Sequence, residues 1–426
     1  MVRVVLITLI LLFTHALAYC QSVSVIHEYN DSKIAADMAI SKEGNIFICG
    51  RYSGFAMLIK LDSNGNEQWI NYYDEDYLFS KMLVDSNENI YLHMNASNQF
   101  NNNFLLKLDS TGNELWRSDS VIGIYTSGSI KDINLFPYQN RIYLTHNARE
   151  EQLDDDDLGI SSFDIQTGEL LSQTQIEQAD NIYPYRMNEV PLKNGKWILT
   201  GYRGVLELEP NGNYNLIQMN DSIPGYLIGI TTNGYNTYRT KVDWGNPIFP
   251  ISYGSYLKYD SLWNLTSTID LWPDSLYHFP DTLRQFINNI IPSEKKGLIC
   301  SSTISQASNS RVDHISQLNP DDGSVVFDTS FINYQDISFI YEKNNLIIAI
   351  GQIGASSNLG IRILKIEFPD LEFNTKFYTS TNEIEKNKKS NTTIYPNPSN
   401  AQFTLQSDLE IETISIYSID GKLVKM

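Results

Sequence analysis

The stretch Phe104–Trp116, F-L-L-K-L-D-S-T-G-N-E-L-W, decides how the rest of this 426-residue chain is read. It holds an apolar strand, a polar turn and the opening of a second strand. A near-copy lies at Ala56–Trp69, A-M-L-I-K-L-D-S-N-G-N-E-Q-W. Asp62 and Asp109 are 47 residues apart, as are Trp69 and Trp116. A fixed period of that size marks a repeat architecture. Each copy is preceded by another short apolar run, Asn45-Ile46-Phe47-Ile48 in the first unit and Asn89-Ile90-Tyr91-Leu92 in the second. Similar runs begin at Arg141, Lys196, Pro247, Gly297 and Asn345, so that intervals of 44 to 55 residues separate seven units.

The turn of the opening stretch recurs with decay. Lys258-Tyr259-Asp260-Ser261 repeats the Lys-x-Asp-Ser of Lys60 and Lys107. Asp164 with Gly168, Glu209 to Gly212, Asn319 to Gly323 and Phe368-Pro369-Asp370 take the equivalent place. Asp and Ser side chains bond back to the backbone there, Pro presets φ and Gly accepts φ > 0. Helical periodicity is nearly absent, and each unit reads as four short strands, such as 81–84, 90–95, 104–108 and 115–118 in the second. Four strands at this period describe a β-propeller blade. Closing the array into a ring removes the sheet edges that an open one would present. The fold expected is all-β, a seven-bladed β-propeller over residues 23–378 followed by a short β-sandwich-like segment. An open β-solenoid is the competing architecture, although its rungs are usually shorter. Val23–Tyr29 and Leu371–Tyr378 both read as spare outermost strands, and either one would complete the closing blade.

Composition narrows the classes of function. The net charge of −19 leaves no clustered cations for phosphate, so nucleic acid is not an expected partner. The N-terminus has the three parts of a secretory signal: Arg3, the apolar run Val4–Phe13 and Ala16-Leu17-Ala18 as a cleavage site, giving a signal peptide over 1–18. That run is too short to span a bilayer, and no transmembrane helix is expected in the mature chain. Cys20 raises the rival of a lipoprotein signal, which the bulky Tyr19 before it disfavours. Cys49 and Cys300 sit in similar apolar contexts, I-F-I-C-G and G-L-I-C-S, and read as small buried hydrophobes in equivalent blades.

Residues 379–391 are polar and Lys-rich, and read as a linker. Strand patterning returns over 392–426, with Tyr395-Pro396-Asn397-Pro398, the strand Gln402-Phe403-Thr404-Leu405, and Ile416-Tyr417 followed by Gly421-Lys422-Leu423-Val424. Asp420-Gly421 is a hairpin turn signal. These motifs resemble the type A C-terminal sorting domain of the bacterial type IX secretion system. The resemblance implies a small β-sandwich that meets the secretion machinery and directs the chain to the outer-membrane surface or the medium. Its sorting motif falls on Tyr395, Pro396, Asn397, Pro398, Gly421 and Lys422. The family domain usually continues for several more strands, so the segment is expected to be incomplete. The K-L-D-S-x-G-N-E-x-W units resemble the diverged propeller repeats common in secreted proteins that carry this domain.

Candidate chemistry is sparse. Asp62-Ser63-Asn64-Gly65-Asn66 has the oxygen-rich look of a calcium loop, but twelve positions from Asp62 stands Tyr73 rather than a bidentate Glu. The spacing of Asp62, Gly65 and Trp69 also departs from a sialidase Asp-box. No two histidines have metal-ligand spacing, and neither a nucleophile elbow nor a phosphate loop occurs. His93 and His146 follow equivalent strands of neighbouring blades. Several Asp-Ser/Thr-apolar triplets, among them Asp260-Ser261-Leu262 and Asp274-Ser275-Leu276, resemble bacterial O-glycosylation sites. No catalytic residue, metal site or cofactor is expected.

Two segments break the period: the acidic Glu150–Leu158 and the insertion Leu271–Leu283, L-W-P-D-S-L-Y-H-F-P-D-T-L. Loops that break a repeat are favoured places for function. Trp272, Tyr277, His278 and Phe279 form the candidate partner-binding loop. The functional expectation is a secreted or surface scaffold that binds a protein or glycan. The alternative is an extracellular polysaccharide hydrolase or lyase with carboxylates over the propeller axis.

Overall fold

A computed structural model of the chain describes residues 22–73, 77–96, 103–119, 134–138, 140–149, 156–176, 197–200, 204–209, 213–218, 226–231, 234–243, 251–270, 284–293, 295–305, 311–332, 336–343, 346–353, 360–368, 370, 377–378, 393–395, 404–406, 416–417 and 423–425. Every regular element among them is a strand. The chain divides into two units, Met1–Glu383 and Ile384–Met426.

In the first unit β1 (Ser22–Tyr29) precedes the first complete sheet, β2 (Lys33–Ile40), β3 (Ile46–Tyr52), β4 (Phe55–Leu61) and β5 (Glu67–Tyr72). The second sheet is β6 (Tyr77–Val84), β7 (Ile90–Ala96), β8 (Asn103–Leu108) and β9 (Glu114–Arg117). The third is β10 (Asn134–Tyr138), β11 (Arg141–Arg149), β12 (Asp156–Asp164) and β13 (Leu170–Ile176). The fourth shows β14 (Trp197–Thr200), β15 (Gly204–Leu208) and β16 (Tyr214–Gln218). The fifth is β17 (Tyr226–Thr231), β18 (Gly234–Asp243), β19 (Ile251–Asp260) and β20 (Leu265–Asp270). The sixth is β21 (Arg284–Ser293), β22 (Gly297–Ser305), β23 (Arg311–Leu318) and β24 (Val325–Ile332). The seventh joins β25 (Asp336–Lys343), β26 (Leu346–Ile353) and β27 (Gly360–Glu367) to β1. The described residues of this unit thus form seven antiparallel sheets, each an up-and-down meander.

The sheets stack because their middle strands are apolar on both faces. Along β3, Ile46 and Ile48 join one core cluster with Met57, Ile59, Ile348 and Ile350, between the first and seventh sheets. Phe47 and Cys49 join another with Leu58, Met82, Leu92 and Leu106, between the first and second sheets. Period-2 alternation is what sends neighbouring residues into different cores. β26 repeats this, with Ile348 and Ile350 on one side and Ile347 and Ala349 against Ile299 and Ile315 of the sixth sheet on the other. Contacts run between β2 and β6, β6 and β10, β14 and β17, β17 and β21, β21 and β25, and β25 back to β2. The chain is an all-β propeller, and its return contact excludes an open solenoid.

β1 settles which terminal strand closes the array. It pairs with β27 from Ser22↔Glu367 to Tyr29↔Ile361. Of the other candidate, Leu371–Tyr378, the described end, β28 (Phe377–Tyr378), pairs with β17. One strand reading also needs correction. The second strand of the fifth sheet is β18, whereas Pro247-Ile248-Phe249 lies outside the described residues. β18 scatters Tyr235, Tyr238 and Val242 among polar residues and so lacks the apolar run that marks its counterparts. Cys49 pairs with Asp37 just past a bulge, and the equivalent place in the sixth sheet belongs to Ser301, opposite Asn289. Cys300 is therefore one register position from Cys49, and the two thiols face opposite sides of their sheets. Both are free and buried, as small hydrophobes.

In the second unit, β29 (Thr393–Tyr395) pairs with β30 (Thr404–Gln406), and β31 (Ile416–Tyr417) pairs with β32 (Leu423–Lys425) around Asp420-Gly421. Tyr395 stands on β29, while Pro396, Asn397, Pro398, Gly421 and Lys422 lie outside the described residues. The linker 379–391 and the N-terminal segment 1–21 also lie outside them.

Candidate functional site

The two ends of the sheets have different chemistry. At one end stand the turns between first and second strands and between third and fourth strands. Asp109 Oδ1 accepts the backbone N–H groups of Thr111 and Asn113, both at 2.9 Å, and Asn113 Nδ2 donates to Oδ2 at 3.2 Å. The same lattice forms at Asp62 with Asn64 and Asn66, at Asp85 with Asn87 and Asn89, and at Asp260 with Leu262 and Asn264. The closing Asn, four residues on, is a feature that the repeat displays and the sequence reading left unused. Each Asp oxygen already faces N–H donors, which is why the oxygen-rich loop is a turn rather than a cation site. Among the described residues no group of three His, Cys, Asp or Glu is placed to hold a metal. The triplet at Asp260 is the same turn chemistry, with Ser261 exposed and Leu262 77% exposed. The other triplets' hydroxyl residues lie outside the described residues.

These donors favour the charged carboxylates. Thr111 and Asn113 hold Asp109 down to about 2, and Asn66 and Asn264 lower Asp62 and Asp260 in the same way. A carboxylate with a depressed folded pKa contributes stability that is complete above its unfolded value, near 4, and lost as pH falls through the folded one. The urea midpoint is therefore expected to hold steady from pH 7 to 5 as far as these groups are concerned, and to fall between about pH 4 and 2. Asp109→Ala should flatten the lower part of that profile, and an unaltered profile would refute this assignment.

The turns also fasten each sheet to the next. Gly112 has φ 86°, and a Cβ there would meet Asn71 Nδ2 of the preceding sheet at 2.2 Å. Tyr73 of that sheet donates to Gly112 O at 3.0 Å, and burial pushes its phenol up to about 12. At Gly168, φ 75°, a Cβ would strike the Trp116 indole at 2.5 Å. The Lys of the repeat reaches across as well: Lys60 to Glu88 and Ser110 O, Lys107 to Ile165 O at 3.0 Å, and Lys258 to Asp321 O at 2.8 Å. Trp116 Nε1 donates to the same Ile165 O at 3.2 Å. The K-x-D…W signature is thus an inter-sheet clasp. Burial lowers the pKa of Lys107 and Lys258, the carbonyl each one meets being its compensation. Lys107→Met is expected to destabilise the protein by about 1.5–3 kcal/mol, the cost of a charged hydrogen bond lost in a buried place. Chemical denaturation checks this, and a loss under 0.5 kcal/mol would contradict the clasp.

Polar groups also line the first strands. Asp37 is 2% exposed; its Oδ2 accepts Met82 N at 3.0 Å and its Oδ1 accepts Tyr341 Oη at 3.0 Å, so it joins the second, first and seventh sheets. Ser80 Oγ lies 2.5 Å from His93 Nδ1. His93 pairs with Leu105 inside β7, and Leu105's equivalent in the third sheet, Ile160, pairs with Thr145. His146 is therefore one position further along, and the two histidines do not occupy equivalent places. In the sixth sheet Asp328 accepts Ser316 Oγ at 2.5 Å and stands 2.9 Å from His314 Nδ1, while Thr303 donates to Asp313. The Ser80–His93 and Thr303–Asp313 pairs are buried, and Asp328 is half-buried.

The other end of the sheets carries the second-to-third-strand connections and the passages between sheets. The strand ends there flank residues 97–102, 120–133, 150–155, 177–196, 219–225, 244–250, 271–283, 306–310 and 354–359. The candidate residues Trp272, Tyr277, His278 and Phe279 lie outside the described residues, between Asp270 and Arg284 in the chain. Of the acidic segment 150–158, residues 156–158 belong to β12.

The secretion system C-terminal sorting domain model matches residues 393–426. No curated protein matches the chain. Among solved structures, the β-propeller domain of the Trilobed protease from Pyrococcus furiosus is similar at 10% identity, covering 84% of this chain and 99% of that one with a TM-score of 0.47. Virginiamycin B lyase from Staphylococcus aureus is similar at 10% identity over 81% and 99%, with a TM-score of 0.45. The Neurospora crassa Pan2 WD40 domain is similar at 9% identity over 84% and 98%, with a TM-score of 0.44. The chain is a propeller protein with a C-terminal sorting tail of the type IX secretion system.

Proposed function

We propose that the mature chain is a non-enzymatic scaffold at the cell surface or in the medium, binding an extracellular protein or glycan through the connection-bearing end of its sheets. In this reading the ring has seven blades over residues 23–378, a linker over 379–391 and a sorting segment over 392–426, with the signal peptide removed. The observation that carries it is the asymmetry of the two ends. One end is committed to Asp-centred turns and inter-sheet clasps, whereas at the other the second strands finish and the third begin, and connections on a rigid frame are where recognition concentrates. Trp272, Tyr277, His278 and Phe279 are the residues proposed to supply aromatic contact.

The test is a binding screen of the mature chain against glycans and surface proteins. Binding that Trp272→Ala with Phe279→Ala weakens about tenfold, a loss near 1.4 kcal/mol, supports the reading. Binding indifferent to that pair would move the site elsewhere. The alternative, a polysaccharide hydrolase or lyase, needs two carboxylates about 5–10 Å apart over the axis. Asp37, the buried carboxylate of the first strands, has both oxygens engaged, which weighs against it in that role. Release of new sugar ends from a polysaccharide, with no binder in the screen, would favour the enzyme.

A further inference from the structure

At the end of the first sheet away from its Asp-centred turn stands a cluster of rings that the core does not consume. β3 and β4 are joined there by two residues, Ser53 and Gly54, whose φ values of 48° and 97° make a tight hairpin turn. So short a connection cannot fold back over the strand ends. Tyr52 pairs with Phe55 across it, Lys33 of β2 pairs with Tyr52, and Tyr72 of β5 pairs with Met57, so period-2 alternation puts all four side chains on one face. Phe55 is 40% exposed and Tyr72 47%. The Tyr52 and Tyr72 rings lie 5.3 Å apart, tilted by 40°. The buried Lys33 ammonium fixes this shelf from within, 4.5 Å from the Tyr52 ring centre and 5.0 Å from that of Tyr29. It pairs at 2.5 Å with Asp31, whose side chain is 52% exposed.

We propose that Tyr52, Phe55 and Tyr72 form a stacking subsite for the pyranose rings of a neutral glycan, with Asp31 as a hydroxyl acceptor at its edge. The inference names a ligand class for the scaffold reading and rests on that reading's assignment of recognition to this end. A pyranose has a face of C–H bonds and a rim of hydroxyls. The negative face of an aromatic ring attracts those C–H groups, and joining the two removes apolar area from water. The rim hydroxyls then need acceptors, and a carboxylate with about four lone-pair sites has capacity beyond its one ammonium partner. Charge narrows the class further. Asp31 and Glu67, which accepts Tyr29 Oη at 2.8 Å, stand among these rings in a chain of net charge −19, a setting that repels a polyanionic glycan. Lys33 does not reverse this, because its ammonium is committed to Asp31 and two ring faces. Three rings offer far less than the about 1,000 Å² that a specific protein interface needs, whereas a few sugar units match their extent. Held on strands, the shelf has little side-chain freedom to lose on binding.

Titration calorimetry on the mature full-length chain tests this with cellohexaose, laminarihexaose and mannohexaose. Hexagalacturonate serves as the anionic counterpart and a proline decamer as the peptide one. At least one neutral hexasaccharide is expected to bind, and hexagalacturonate at least about tenfold more weakly. Phe55→Ala with Tyr72→Ala should weaken the neutral glycan at least about tenfold, while Tyr72→Phe, which keeps the ring face, stays within about threefold of the parent. The urea midpoint checks that each variant is folded, and Tyr72→Ala alone replaces the double variant should that midpoint fall. Trp272→Ala with Phe279→Ala separates this subsite from the loop proposed above. Glycan binding lost in that pair and kept in the Phe55 and Tyr72 variants overturns the subsite and leaves the scaffold reading standing. No binding of any neutral hexasaccharide, or binding of the proline decamer in their place, also overturns the proposal.

Discussion

Removal of Ser22–Tyr29 from the mature chain abolishes the cooperative fold rather than weakening it, at an expected cost of more than about 5 kcal/mol, comparable to the whole stability of many domains. Several losses coincide. The ladder from Ser22↔Glu367 to Tyr29↔Ile361 disappears, leaving β27 as a bare edge. Tyr29 leaves the core shared by Ile348, Ile361 and Met38, and its hydroxyl no longer reaches Glu67 at 2.8 Å. His27 stops meeting Gly65 O at 2.9 Å, so the first and seventh sheets lose their rim contact. The ion pair of Arg362 and Glu28, at 2.5 Å, goes too. Size-exclusion chromatography and tryptophan fluorescence during urea titration report the outcome. Adding residues 21–32 as a peptide should restore a cooperative transition. A truncated chain that stays monomeric and keeps the parent midpoint would show that β1 does not close the ring.

Asp37→Leu is expected to cost about 3–5 kcal/mol, since removing one partner from a buried charged network strands the others. Met82 N–H and the Tyr341 hydroxyl both lose their acceptor, and each buried polar group left unsatisfied costs about 1–3 kcal/mol. Lys81, 3.9 Å from the carboxylate, loses its counter-charge. Asp37→Asn keeps one acceptor oxygen and should recover part of the loss, so the two variants separate hydrogen bonding from mere volume. Unfolding in guanidinium reads both, and a leucine variant within 1 kcal/mol of the parent would contradict a bridging role for Asp37.

The repeat was legible because its apolar runs and turn residues recur in the chain at a fixed distance, and both signals are local. Phe104–Trp116 yielded strand, turn and strand in their observed places, β8, the Asp109 turn and β9. What Lys107 and Trp116 do was not legible, because their partner Ile165 O lies in the next unit and a backbone carbonyl carries no sequence signature. The bulge beside Asp37 hid in the same way. An extra residue shifts register without changing composition, so neither the bulge nor the place of Asp37 opposite Cys49 could be read from the chain. Pro247-Ile248-Phe249 misled for the opposite reason: it has the apolar character of a second strand, while the real one, β18, has only scattered apolar residues. The choice between the two spare strands at the ring's ends rested on contacts between residues more than 300 positions apart, which no local pattern encodes.

That separation governs the order of folding. Ser22 and Glu367, hydrogen-bonded at 2.9 Å, lie 345 residues apart in the chain. A polypeptide delivered N-terminus first presents β1 long before its partner β27 exists, so β1 must wait unpaired while the intervening sheets form from local hairpins. Contacts of such long sequence separation are made late and slowly, because the loop entropy is spent before the contact returns anything. Closure is thus the final and rate-limiting step, and the ring acts as a check on its own length: a chain interrupted before residue 360 has no place for its first strand.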